Sequence, residues 1–305
     1  MLTLLTTSQS FWLLDTDTGN AQLLSTGNGV YYGIAVHGDH IYVAARDRWV
    51  SSNVPKEEER GFILVFDRDL RPCGTLRAPF PLRDLHQIAW HDGKLYATCS
   101  FDNLVALYDG QRWEKWFPLN DKRSGDTNHF NSFLFEEDRV LILAHNWGLS
   151  EAMAFSVIDR RLCERVQIGN GGHNLWREEG RLYSCSSSDG VILSDRSFRH
   201  QTGGFPRGVA FDSVSRCIGI SEVNERAERS LSTGRVLVRR RDWTPIHEII
   251  LPGEGLVLDL LQLPQGFSES AQDFRWPLLS PEFNIPRHLF TARAFKVHTW
   301  TAEQE

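Results

Sequence analysis

Imidazoles recur at one register of this sequence. His86 and His173 each head a short apolar segment that runs into a tight polar turn and a second apolar segment, HQIAWHDGKLYATC and HNLWREEGRLYSC, and Asn131 holds the same position in NSFLFEEDRVLILA. His129 lies two residues before Asn131, and His145 follows the second segment of that hairpin. Neutral imidazoles are borderline-soft donors that hold Zn²⁺, Mn²⁺ or Fe²⁺ at about 2 Å, and three of them with one open position make a catalytic rather than a structural centre. His86, His129 and His173 are therefore the candidate ligands of a divalent metal ion. The competing reading makes each of them one more polar residue hydrogen-bonded to water in a channel.

Other ionisable groups share that register. Arg207 heads a fifth hairpin within GGFPRGVAF, Tyr32 stands at the slot of the first, and Asp259 lies near it in 256–263. A guanidinium binds a carboxylate or phosphate bidentately, so Arg207 is a candidate to neutralise a small anionic substrate while His145 or Tyr32 acts as general base. A structural pair of Arg207 with Asp259 or Glu222 is the alternative. Arg46, Asn131, Trp147 and Asp259 are expected to contact substrate, Trp147 by stacking its indole. His200, in a loop between blades, is expected on the same face. His37, His40 and His91 fall in hairpin turns and are expected on the opposite one. The Ser186–Ser188 run lacks the context of a nucleophile, and GNGG (169–172) leads into a strand rather than a helix, which weakens a phosphate-binding reading.

A repeat must position these groups. Five hairpins begin at Gly33, His86, Asn131, His173 and Arg207, with the turns HGDH, HDGK, EEDR and EEGR in one slot and a longer fifth. Each is followed by a third strand (62–67, 104–109, 152–159, 190–195, 235–240) and in most cases by a more variable fourth. A four-stranded antiparallel unit of this kind is a propeller blade. The sixth copy is split: 256–263 supplies one strand, and 3–8, 11–17 and 21–25 supply the others. The expected fold is all-β, a six-bladed β-propeller over 1–264 whose last blade is closed by N-terminal strands pairing with a C-terminal inner strand. The tail, 265–305, is expected to pack on the outside, with Trp276 and Trp300 against the blades.

Composition sets limits. The 33 basic and 39 acidic residues give a net charge of −6 with no clustered basic run, which argues against a nucleic-acid partner. No apolar segment approaches the roughly 20 residues of a membrane-spanning helix, and the start of the chain lacks a secretory pattern. A cytoplasmic protein with no membrane partner is expected. The five cysteines are scattered, without C-x-x-C spacing, so neither a disulfide framework nor a zinc ribbon is indicated.

The stretches NHFNS (128–132), GGHNLWREEGRLYSCSSSDG (171–190), GGFPRGVAF (203–211), GISEVNER (219–226) and LVLDLLQLPQG (256–266) resemble, in order and spacing, a bacterial propeller family catalogued as conserved hypothetical proteins, domain of unknown function 4915. The resemblance covers about the second half of the chain and falls on His129, Asn131, His173 and Arg207. It implies the fold and marks the site without naming a reaction. Ser132 and Asn174 stand where that family tends to have Gly and Pro or Ser. Two functions follow from the residues: a metal-dependent lyase or hydrolase acting on a small anionic substrate, or a non-catalytic module that binds a small ligand or a partner protein.

Overall fold

The computed structural model describes residues 1–50, 52, 55–120, 125–270 and 293–299. Six small antiparallel sheets form the blades of a six-bladed β-propeller. No helix among the described residues is long and apolar enough to cross a membrane. The backbone packs as two compact units, Val54–Phe62 with Arg77–Pro206, and Met1–Asn53 with Ile63–Leu76 and Arg207–Glu305.

The first unit holds three blades, each a simple meander. Their strands are Leu85–His91, Lys94–Cys99, Leu104–Tyr108 and Trp113–Trp116; Phe130–Phe135, Arg139–Ala144, Leu149–Ser156 and Leu162–Asn170; and Gly172–Glu178, Arg181–Ser186, Val191–Ser194 and Arg199–Gln201. The leading hairpins are short because their turns are built for it. Asp92-Gly93 and Glu179-Gly180 are left-handed at both residues, which matches the twist of the flanking strands. Buried side chains of neighbouring blades interlock: Tyr96, Val105 and Trp116 pack with Phe130, Val140, Ile142 and Phe155 in one layer. Leu141, Leu143 and Ala154 pack with Leu175 and Leu182 in the next.

The second unit contains the closure. Leu2–Thr7, Ser10–Asp15 and Asn20–Thr26 form a sheet with Val257–Gln262, and Leu4 lies opposite Leu261 and Thr6 opposite Asp259. The sixth blade is thus built from both ends of the chain, as the split repeat implies. Strands Tyr31–His37, His40–Ala45, Phe62–Phe66 and Pro72–Leu76 form another blade, and Phe205–Phe211, Ser215–Ser221, Gly234–Arg240 and Pro245–Leu251 a further one. The tail adds edge strands to two of these sheets: Arg293–Ala294 pairs with Asn20–Thr26, and Lys296–Thr299 with Pro245–Leu251. Trp276 and Trp300 lie outside the described residues. Cys99, Cys185 and Cys217 are buried and all five thiols are free, as their spacing implies.

One irregularity positions the site. The first strand of four blades carries a β-bulge at the same place, between Tyr31 and Ile34, Leu85 and Ile88, Phe130 and Ser132, and His173 and Leu175. A bulge leaves a residue out of the ladder and re-aims side chains at the strand end. His86 and Asn131 sit in these bulges.

Candidate metal centre

In the three blades of the first unit the residue two positions before His86, Asn131 and His173 turns left-handed. Asp84 (φ 54°), His129 (φ 51°) and Gly171 (φ 59°) share this conformation in three successive blades. Asp and His are among the few side chains that tolerate it. In the third case glycine takes the conformation without strain, and a Cβ at Gly171 would push Ser188 Oγ aside. This turn brings Asp84 and His129 together with His86. One ligand atom from each of the three falls within 4.8 Å of the others, and all three residues are buried. Asp84 Oδ1 is 3.9 Å from His86 Nδ1, Asp84 Oδ2 is 4.0 Å from His129 Nδ1, and the two imidazole centroids are 4.7 Å apart.

The hydrogen bonds around the rings decide which nitrogen carries the proton. Ser100 Oγ donates to Phe130 O (2.7 Å) and so turns a lone pair toward His86 Nδ1 at 3.0 Å, which also lies 2.7 Å from Asp84 O. Both neighbours of Nδ1 are acceptors, so Nδ1 holds the hydrogen and Nε2 is the lone-pair nitrogen. His173 repeats the arrangement in its own blade. Its Nδ1 donates to Gly171 O (3.0 Å) and Ser187 Oγ (2.8 Å), and Ser187 Oγ donates to Pro206 O. His129 Nδ1 donates to Asp126 Oδ1 at 2.8 Å. Tethering one ring nitrogen to a carbonyl or carboxylate is how proteins orient imidazole ligands and raise the basicity of the other nitrogen.

A cation of the chain's own lies against the carboxylates. Lys56, on the short 3₁₀ turn Lys56–Glu58, places Nζ 2.7 Å from Asp84 Oδ2 and 3.3 Å from Asp126 Oδ2. Glu59 Oε1 accepts the Asp84 backbone N–H at 2.8 Å. The acidic side chains are thereby compensated only in part within the protein.

From His129 the aromatic contacts continue outward. His145 lies 5.1 Å from His129 and 5.5 Å from His173 between ring centroids, and Phe205 lies 5.5 Å beyond His173. Trp147 N–H donates to His145 Nδ1 at 3.0 Å, so the neutral His145 ring carries its hydrogen on Nε2.

Comparison with known proteins bears on the fold. A protein of unknown function from Bacteroides caccae superposes with a TM-score of 0.60 at 9% identity, covering 85% of this chain and 97% of its own. A chain of the nidogen/laminin complex superposes with a TM-score of 0.57 at 11% identity over the same shares. No family model matches the sequence, and no curated protein matches it. At these identities the likeness concerns architecture alone. The family resemblance of NHFNS, GGHN and GFPRG gains no support from a family match.

The sequence-derived residues divide accordingly. His86 and His129 converge; His173 stands at the far side of His145, outside the group in which Asp84 takes a place. Asn131 is buried, with its amide donating to Gly172 O (2.8 Å) and its carbonyl oxygen accepting from Ser132 Oγ (3.0 Å), so it fastens one blade to the next. His200 lies in a strand opposite Ile192 rather than in a loop. Tyr32, Arg46, Arg207 and Asp259 belong to the other unit. There the Arg46 guanidinium lies 5.5 Å from the Tyr32 ring centroid, and the Asp259 carboxylate accepts the backbone N–H groups of Ile34 and Leu260 at 3.0 Å each. Gly208 (φ 70°) explains the glycine of GFPRG, because a Cβ there would meet the Asp259 backbone at 2.9 Å. Asp84, Asp126 and Lys56 were not singled out by sequence. The available signal was register: Asp84 precedes His86 by the spacing at which His129 precedes Asn131.

Proposed function

We propose that this protein is a divalent-metal-dependent enzyme of the lyase or hydrolase type, with Asp84, His86 and His129 as ligands and a small anionic substrate. The observation that carries the reading is the tethering of both imidazoles through Nδ1, to Asp84 O and to Asp126, beside a buried carboxylate. Two nitrogens and one carboxylate oxygen, with positions left for substrate, suit Mn²⁺, Fe²⁺ or Zn²⁺. Such an ion, when bound, polarises a carboxylate or carbonyl of the substrate. The chain's own residues then have separate tasks. Asp126 fixes the His129 ring, and the Ser100 hydroxyl fixes His86. His145, with Nδ1 occupied by the Trp147 N–H, acts through Nε2 as a hydrogen-bond donor to a substrate oxygen. The base that removes a substrate proton must therefore be another group.

A second reading, a non-catalytic binding module, is favoured by Lys56, whose ammonium already pairs with both Asp84 and Asp126 and offsets one of their two charges. Elemental analysis before and after chelation separates the two. The metal reading expects about one transition-metal ion per chain, lost in Asp84→Ala and His129→Ala and retained in His173→Ala. Wild-type protein that holds no metal after supplementation with Mn²⁺, Fe²⁺ and Zn²⁺ in turn is the outcome that leaves only the binding module.

A further inference from the structure

The turn that follows the second strand of the middle blade carries a side chain where the backbone least favours one. Gly148 N–H donates to His145 O at 3.2 Å, closing a tight turn whose two central residues, Asn146 and Trp147, both have φ 54°. Turns with two left-handed central residues ordinarily take Asn-Gly or Asp-Gly. Here a tryptophan holds the glycine position. A bulky residue at positive φ is an outlier, and such outliers gather at functional sites.

The indole is also fixed and uncovered. Its Nε1–H donates to Asp126 O at 2.6 Å, and its ring lies 4.8 Å from His129 and 5.4 Å from His145 between centroids. Yet Trp147 is 60% exposed. The indole is thus anchored to the backbone of the residue that orients His129. An apolar plane held rigid at the edge of a polar cluster is a stacking surface for a ligand with one apolar face.

The groups near it narrow the ligand. Gly171 N–H donates to Gly148 O at 2.8 Å, which brings the turn against the end of the strand Leu162–Asn170, and Asn170 Nδ2 contacts Asp189 Oδ1 at 3.4 Å. On the other side Asn146 Nδ2 contacts Glu151 Oε2 at 3.5 Å, and Arg165 pairs with that same carboxylate at 3.0 Å. Carboxylates accept hydrogen bonds from hydroxyl groups, and amides both accept and donate them. The Asp189 and Glu151 carboxylates repel a phosphate, and Arg165, the basic side chain beside them, is paired with Glu151. An apolar face with hydroxyls around its rim is the chemistry of a pyranose.

We propose that Trp147 is the stacking platform of a carbohydrate subsite, which takes the C–H face of a pyranose ring beside the metal centre. The subsite rests on the metal reading only for where the sugar's reacting end would point; binding to Trp147 needs no ion. Isothermal titration of the full chain against a panel of neutral and uronic pyranosides and their short oligomers, with adenosine as the aromatic comparator, tests this with and without Mn²⁺. At least one pyranoside is expected to bind in the millimolar range or tighter, with affinity falling at least tenfold in Trp147→Gly and less in Trp147→Phe, which keeps a ring face. Trp147→Gly suits the turn conformation and is expected to fold, to melt near the wild type and to keep its metal content. Binding of no pyranoside, binding indifferent to Trp147→Gly, or binding of adenosine alone would overturn the proposal. Sugar binding by metal-free protein would uphold it even where the metal reading fails.

Discussion

Lys56 offers the most demanding perturbation, because the structure assigns opposite signs to its two effects. Lys56→Gln removes an ammonium held 2.7 Å from Asp84 and 3.3 Å from Asp126, whose side chains are 3% and 8% exposed. At an effective dielectric constant near 20 these separations correspond to roughly 5–6 kcal/mol of attraction each, before desolvation is subtracted. Desolvation removes much of that, and stranding a buried charge by deleting its partner typically costs about 3–5 kcal/mol. Lys56 itself is 20% exposed, so water screens the pair and the lower end applies. The metal-free variant should lose about 3 kcal/mol, a fall of roughly 5 °C in melting temperature for a chain of this length. Two carboxylates without a counter-ion are, however, a better cation site. Mn²⁺ should bind Lys56→Gln more tightly than wild type, and a hundredfold excess over Kd restores about 2.7 kcal/mol. Calorimetric melting of both proteins with and without Mn²⁺ reads both effects. The reasoning fails if the metal-free variant is as stable as wild type, or if Mn²⁺ raises the wild-type melting temperature by more than that of the variant.

Asp126→Asn leaves all three proposed ligands in place and loosens the ring of one, so metal affinity should fall about 10–100-fold; unchanged affinity in a competition titration would show that the Asp126–His129 bond is not an orienting contact. Alkaline stability should fall for a reason unrelated to the metal. Burial pushes the Cys217 thiol up from 9.0 to about 12, and burial also raises the Tyr31 phenol. Between pH 9 and 12 the unfolded thiol loses its proton while the folded one keeps it, so stability drops as pH rises, by up to about 4 kcal/mol over the whole interval. Urea unfolding from pH 8.5 to 11 should show this slope reduced in Cys217→Ala, and an identical slope in that variant would refute the assignment.

The blades were legible because their leading turns are short and local. Asp92-Gly93 and Glu179-Gly180 declare a reversal within two residues, and the apolar segments on either side must then pair. His86 and His129 were legible from register. His173 occupies the same register as His86 and shows the same tethering, yet sequence position alone does not report distance between blades. Asp84 was missed because a residue just outside a strand reads as a turn former; its approach to His86 and His129 goes with a left-handed backbone (φ 54°). Asp126 and Lys56 were missed for a different reason. Lys56 reaches Asp84 across 28 residues and Asp126 across 70, from a turn with no periodic pattern of its own. His200 was misplaced because Arg199–Gln201 is too short a strand to show alternation.

The pairing of Leu2–Thr7 with Val257–Gln262 sets a timetable for synthesis. Thr6 and Asp259 face each other across 253 residues. At ribosomal rates of about 5–20 residues per second, the nascent amino-terminal hairpin waits roughly 13–50 s for its last partner to be made. During that interval Leu4 and Leu5, fully enclosed in the finished molecule, lie on an open sheet edge, the kind of surface that recruits foreign strands. Chains truncated before Val257 are therefore expected to aggregate, the counterpart of sealing the last blade with the first strand.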